Sequence, residues 1–216
     1  MSIPLKQKNS ILITFLLLAI VVICPRYSMG YGYGRNEDPI ITVFKSVIFY
    51  GKKDDWMRVE SDINTISDRI DDVWNLFEVN LKPTLDAGIS RHDFQEVVKV
   101  MANLVFLAIR EKHYWNLAEN LRIFARANVR LRLAEEYYTL LLSGNVRRYD
   151  NLNGTTFHNE IFNKFSEAKK SLGSIGFLGA GAISPRPEEF ERITKEIEQK
   201  LLIVFPYFES GKEIIY

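Results

Sequence analysis

An apolar seam of seven residues is the feature that most constrains how this chain can fold. Its members follow one another at alternating spacings of three and four residues: Trp56, Val59, Ile63, Ile66, Ile70, Val73 and Phe77. This spacing places all seven side chains on one side of an α-helix. The pattern predicts one long helix that closes at Lys82-Pro83. A helix within a bundle is the simpler interpretation, and an intermolecular coiled coil is the alternative.

Helical signals continue on both sides of this seam. Asp38-Pro39 supplies an N-cap and a proline at the first helical position, and Gly51 predicts the end of that helix. Ser90 and Asp93 have the spacing of a capping box, which predicts the start of a third helix. The segment before the seam and the segment after it are therefore also expected to be helical.

The stretch between Ile89 and Ser143 contains neither glycine nor proline. The apolar face moves around the helix axis after residue 116, and Asn116 with Glu119 has the spacing of another capping box. We therefore predict a break at 112–116 and a fourth helix that ends at Ser143-Gly144.

Two more helices are expected in the C-terminal third. Asn153-Gly154-Thr155 predicts a turn before the first of them, although the same residues form a glycosylation sequon. Gly173 predicts its end, and Pro185-Arg186-Pro187 predicts the start of the last helix. No long stretch alternates with the period of a strand. The sequence predicts an all-α, single-domain bundle of five to six helices over residues 38–216.

The N-terminal segment has the three parts of a secretory signal peptide. Lys6 and Lys8 precede an apolar run over residues 11–23, and small residues follow at Ser28 and Gly30. We predict a signal peptide over 1–30 with cleavage after Gly30, a short linker over 31–37, and export to the periplasm or the outside of the cell. An uncleaved membrane anchor formed by residues 11–23 is one alternative, and lipidation of Cys24 is another.

Cysteine content and charge exclude several classes of protein. Cys24 is the single cysteine, which excludes a disulfide framework and sites built from several cysteines. Lys and Arg number 28 against 27 Asp and Glu, so no overall positive charge favours nucleic acid. Contact with a membrane is expected only through an uncleaved N-terminal segment or a lipidated Cys24.

A polar and aromatic cluster near residue 113 is the candidate ligand site. Rings supply contact area in such sites and amides orient the ligand. Under the structural alternative, His113 continues an apolar line, Trp115 is a core residue and Asn116 is a helix cap. The candidate residues are His113, Tyr114, Trp115, Asn116, Asn120, Arg122 and Arg126.

His92 and Glu96 are the candidate metal ligands, because a spacing of four residues places them on one face of a helix. An ordinary surface pair is the simpler interpretation. The Glu-x-x-His motif of di-iron bundles and the Cys-x-x-Cys-His motif of covalent haem are both absent, and no hydrolase motif occurs. We therefore expect no cofactor and no enzymatic activity.

These features together predict an exported, non-enzymatic helical bundle that binds a partner protein or a small ligand. The alternative is an exported bundle that binds a metal or cofactor. Arg122, Arg126 and Arg130 form a basic ridge that is expected to pair with the acidic residues of the second helix, or else to meet an acidic ligand. The glycine-rich connector over 173–181 is expected to fold onto the core, or else to offer Phe177 and Leu178 to a partner.

Overall fold

A computed structural model describes residues 37–176 and 181–209. This part of the chain is all-α, as predicted, and its residues from Asp38 onward belong to one compact unit. The helices are more numerous than the predicted five to six. In chain order they are α1 (Pro39–Gly51), α2 (Trp56–Asn64), α3 (Ser67–Phe77), α4 (Lys82–Ser90), α5 (Phe94–Ala118), α6 (Phe124–Tyr137), a π-helical segment (Tyr138–Leu142), α7 (Ser143–Asn153), α8 (Phe157–Ser171) and α9 (Pro187–Val204).

The central helix of the bundle is α5, which runs for 25 residues without a break. All residues from Val100 to Ile109 are buried, and α1, α3, α4, α6, the π-helical segment and α9 pack around it. The predicted break at 112–116 is wrong. The apolar face changes because the chain passes from α5 into α6, but this passage comes after the predicted position. The chain turns instead after Ala118, where Asn120 and Leu121 both have positive φ.

The seam from Trp56 to Phe77 consists of two helices, α2 and α3, so the prediction of one long helix is wrong. Ile66 lies between them and is only 1% exposed. Thr65 Oγ1 donates a hydrogen bond to the Asp62 carbonyl oxygen, a local bond that competes with continuation of the helix. The inward positions are nevertheless correct, because the first six seam residues are buried and Phe77 packs against the core.

Lys82-Pro83 starts a helix rather than closing one. Pro83 lies in the first turn of α4, where the missing N–H of proline costs no helical hydrogen bond. The predicted capping box of Ser90 and Asp93 is not formed, since Ser90 is the last residue of α4. Asp93 alone caps α5, and its Oδ1 accepts a hydrogen bond from the backbone N–H of Glu96 at 3.0 Å.

Ser143-Gly144 does not end a helix, because α6 continues through the π-helical segment into α7. Tyr137 and Tyr138 are adjacent in sequence and both fully buried. The Tyr137 hydroxyl donates to Asp38 Oδ1 at 2.8 Å, and the Tyr138 hydroxyl lies 2.8 Å from His158 Nδ1. These two contacts join the start of α1 and the start of α8 to the junction between α6 and the π-helical segment.

Several predicted helix ends are confirmed. Asp38 caps α1 by accepting a hydrogen bond from the Ile40 N–H at 2.9 Å. Gly173 follows α8 with a φ of +77°, and a Cβ added there would lie 2.3 Å from the Ile183 carbonyl oxygen. Pro187 is the first residue of α9. Among the described helices, none is both long enough and apolar enough to cross a membrane.

Candidate functional site

A groove of about 290 Å³ lies between α3 and α5. Asp72, Asn75 and Leu76 line it from α3, where spacings of three and four residues place them on one side of the helix. Glu111 and Trp115 line it from α5, four residues apart and therefore one turn apart. The groove thus combines two carboxylates, an amide, an aliphatic side chain and an indole ring.

Glu111 anchors the base of the groove through two ion pairs. Its side chain is 10% exposed, and its Oε2 accepts from Arg69 Nη2 and from Lys112 Nζ, each at 2.8 Å. Arg69 also reaches across to Asp72, with Nη1 3.1 Å from Oδ2. Burial disfavours the charged guanidinium, but Glu111, Tyr137 and Asp72 outweigh that effect and raise the pKa of Arg69 above its ordinary value. Arg69 therefore stays charged and joins α3 to α5.

Trp115 and Tyr114 form the aromatic side of this region. Their rings meet edge to face, with centroids 5.2 Å apart, and Trp115 is 41% exposed while Tyr114 is 45% exposed. The structural alternative that placed Trp115 in the core is therefore wrong. The exposed indole is the part of the predicted cluster that lines the groove.

His113 points away from the groove. His113 and Trp115 are two positions apart in the helix, so the two side chains leave it about 200° apart. His113 is 2% exposed, its Nδ1 lies 2.9 Å from Glu198 Oε1, and its ring packs against Phe165 and Phe190. This position agrees with the structural alternative, in which His113 continues the apolar line of α5.

Asn116 is a fully buried link between helices rather than a helix cap. Its Nδ2 donates to the Ala127 carbonyl oxygen at 3.1 Å and so joins α5 to α6. The expected capping box of Asn116 and Glu119 is therefore wrong, because Asn116 lies within α5 and Glu119 follows its end. Neither His113 nor Asn116 is accessible from the groove side.

Asn120, Arg122 and Arg126 lie at or beyond the end of α5. Asn120 lines a second opening of about 520 Å³, together with residues 186–189 at the start of α9. Arg186 and Glu189 pair with each other at the exposed side of that opening, which has no aromatic lining residue. The structure therefore divides the predicted cluster between the groove, the core, and the turn and first part of α6 that follow α5.

The basic ridge does not pair with the acidic residues of the second helix. Arg126 and Arg130 both bind Glu119 Oε1, at 3.1 Å and 2.9 Å, and Arg122 is exposed. Their hydrogen bonds, first that of Arg130, lower the pKa of the Glu119 carboxyl below its usual value. Glu119 is the partner because it lies in the turn that connects α5 to α6.

His92 and Glu96 do not share a helical face, because His92 precedes the cap of α5 and has a φ of +56°. The His92 ring instead stacks on Trp56 at 5.0 Å. Across the described residues, no three His, Cys, Asp or Glu side chains are grouped so that they could hold a metal ion. The geometry on which the metal hypothesis depended is therefore not present at these two positions.

Several predictions fall outside the described residues. These are the signal peptide with its cleavage site after Gly30, the alternatives that involve residues 11–23 and Cys24, and the exposure of Phe177 and Leu178. The described ends of the connector meet in a single bridge between Ser174 and Ile183.

Sequence reasoning missed four of the five groove residues: Asp72, Asn75, Leu76 and Glu111. One signal for Glu111 was present, since it lies four residues before Trp115 and on the same side of α5. No local signal connected Asp72 with Glu111, because their helices are separated by α4.

Comparisons with protein-family models, with curated proteins and with solved structures found no match for this chain.

Proposed function

We propose that this protein is an exported, non-enzymatic helical bundle that binds a small ligand or a short segment of a partner protein in the groove between α3 and α5. The observation that carries the proposal is the exposed indole of Trp115 beside a recess that is otherwise lined by one apolar and three polar side chains. Small-ligand sites combine apolar contact area with a few oriented polar groups in this way. The volume of about 290 Å³ suits a ligand of modest size.

The walls of the groove are held in place before any ligand arrives. Glu111 and Trp115 belong to the helix that is buried on most of its length, and Arg69 ties α3 to that helix. A site on rigid elements loses little conformational entropy on binding. Binding at this place would therefore not require the bundle to rearrange.

Trp115→Ala is expected to abolish binding of small aromatic fragments, because the indole supplies the largest apolar surface of the groove. Saturation-transfer NMR with a fragment library would measure binding to the wild-type protein and to two variants. Trp74→Ala is the matched control, since Trp74 lies on α3, is 39% exposed and does not line the groove. Fragments should bind wild type and Trp74→Ala alike.

A fragment set that binds Trp115→Ala as well as wild type would contradict the groove as the binding site. The same conclusion would follow if no fragment bound the wild-type protein at all. Circular dichroism melts would test whether either variant is unfolded. Both variants are expected to be folded, because both tryptophans are partly exposed.

Export is proposed on the charged start, apolar run and small-residue end of the N-terminal thirty residues. The N-terminal sequence of the secreted protein is expected to begin at Tyr31. Edman degradation or mass spectrometry of the exported material would measure it. Recovery of a chain with intact Met1 from a membrane fraction would instead indicate an uncleaved anchor.

A further inference from the structure

We propose that the groove between α3 and α5 selects a small organic cation, in which an ammonium or guanidinium group is attached to an apolar body. This inference rests on the proposed binding function and names the chemical class of the ligand. It follows from three features of the groove: the charge of its lining, the oxygen atoms still open to a ligand, and the position of the Trp115 ring.

The lining residues carry two carboxylates, Asp72 and Glu111, and no basic side chain. Arg69 and Lys112 are the cations that contact these acids. Both cations lie outside the lining, so the charged groups that a ligand would meet in the groove are the two carboxylates. A cationic ligand would be attracted to them and an anionic ligand would be repelled.

Other cations near the groove are already engaged. The Arg110 guanidinium lies over the Phe77 ring, but it binds Glu198 and Glu209. Arg130 donates to the Trp115 carbonyl oxygen at 3.2 Å, but it is ion-paired with Glu119. Arg110 pairs with two carboxylates, Arg130 shares Glu119 with Arg126, and neither Arg110 nor Arg130 lines the groove.

Carboxylate oxygens remain for a ligand to contact. Arg69 and Lys112 both bind the same oxygen of Glu111, Oε2, so a ligand would interact through Oε1. Arg69 binds Oδ2 of Asp72, and the Asp72 side chain is 58% exposed. A ligand would therefore contact Asp72 through Oδ1. The Asn75 side-chain oxygen is a third acceptor in the lining. Three acceptors in one recess match the three donors of a primary ammonium group.

The Trp115 ring favours the same class of ligand. An indole face attracts cations through its quadrupole, and tryptophan does so more strongly than other aromatic residues. Leu76 and the ring supply the apolar contact for the body of the ligand. A ligand with a charged head and an apolar body would therefore satisfy both parts of the lining.

Three probes of matched size test the charge preference: benzylammonium, benzyl alcohol and benzoate. At pH 7 they carry a positive charge, no charge and a negative charge on the same ring. The shift of the Trp115 indole N–H in ¹H–¹⁵N NMR spectra, assigned with Trp115→Phe, would be followed during titration. Benzylammonium is expected to shift this resonance in a saturable manner and to bind at least about fivefold more tightly than benzoate.

Asp72→Asn removes the charge while keeping the size of the side chain. It is expected to weaken benzylammonium binding by about fivefold and to leave benzyl alcohol binding unchanged. Asp71→Asn is the matched control, because Asp71 is a neighbouring acid of α3 that pairs with Lys82 and does not line the groove. This control should leave the binding of all three probes unchanged.

Two results would overturn the inference while leaving the groove as a ligand site. One is that benzoate binds as tightly as benzylammonium, and the other is that Asp72→Asn and Asp71→Asn have the same effect. A Trp115 resonance that none of the three probes shifts would overturn both the inference and the proposed binding function, because the groove would then accept no ligand of this size.

Discussion

Phe165→Ala is expected to lower the free energy of unfolding by about 3–5 kcal/mol, the range for a large aromatic side chain removed from a core. Phe165 lies on α8, is 1% exposed, and packs against His113 of α5 and Tyr138 of the π-helical segment. Its ring centroid lies 6.3 Å from that of His113 and 5.9 Å from that of Tyr138. The cavity left by alanine would border three elements, so no single side-chain movement could fill it.

Phe162→Ala provides the control for this variant. Phe162 is on the same helix, three residues earlier, but is 48% exposed. Its replacement should change the free energy of unfolding by less than about 0.5 kcal/mol, as surface substitutions usually do. Urea denaturation monitored by circular dichroism would measure both variants. Equal effects would contradict the arrangement of α8, since they would mean that its two faces are equally buried.

The inward faces of the helices could be predicted from the sequence, because apolar periodicity reports burial directly. Val59, Ile63, Ile70 and Val73 are buried as the seam requires. The same periodicity continues across the gap between α2 and α3, since the side chain of Ile66 still faces the core. Periodicity therefore indicates which residues are buried but does not show where a helix ends.

The central helix shows where face-by-face reasoning fails. An amphipathic helix has one apolar side, and a change of side along the chain normally indicates a break. Here the change of side did reflect the passage from α5 to α6, but α5 is buried on all sides from Val100 to Ile109 and so has no single apolar face from which its end could be located. Only the neighbours of a helix decide how many of its sides are covered, and they belong to distant parts of the sequence.

The groove could be predicted only in part for a similar reason. Trp115 was found because polar and aromatic residues are concentrated around it in the sequence. Its α3 neighbours were not found, because Asp72 and Glu111 meet only when α3 packs against α5. His113 and Asn116 belong to the same sequence cluster, but the geometry of the helix turns them toward the core. A cluster in sequence is therefore not a cluster in space when it lies on a helix.

Ile66→Ala is expected to lower the free energy of unfolding by about 2–5 kcal/mol. This loss is a large fraction of the roughly 5–15 kcal/mol that stabilises a typical domain. Ile66 is 1% exposed although it lies between two helices, and its carbonyl oxygen accepts hydrogen bonds from the N–H groups of Arg69 and Ile70. Its side chain therefore fixes the junction of α2 and α3 against the core. Thermal and urea denaturation would measure the loss.

Ser67→Ala is the matched control for the junction. Ser67 is the next residue, is only partly buried and starts α3, so its replacement should cost less than about 0.5 kcal/mol. Thermal melts of Ile66→Ala at two protein concentrations would show whether Ile66 is buried by its own chain or by a second copy of the chain. If Ile66 were covered by a second copy, the loss would depend on protein concentration. A small effect of Ile66→Ala at every concentration would contradict the place of Ile66 in the core. Truncation of a buried isoleucine either leaves a cavity or forces the surrounding side chains to rearrange, and both lower the free energy of unfolding.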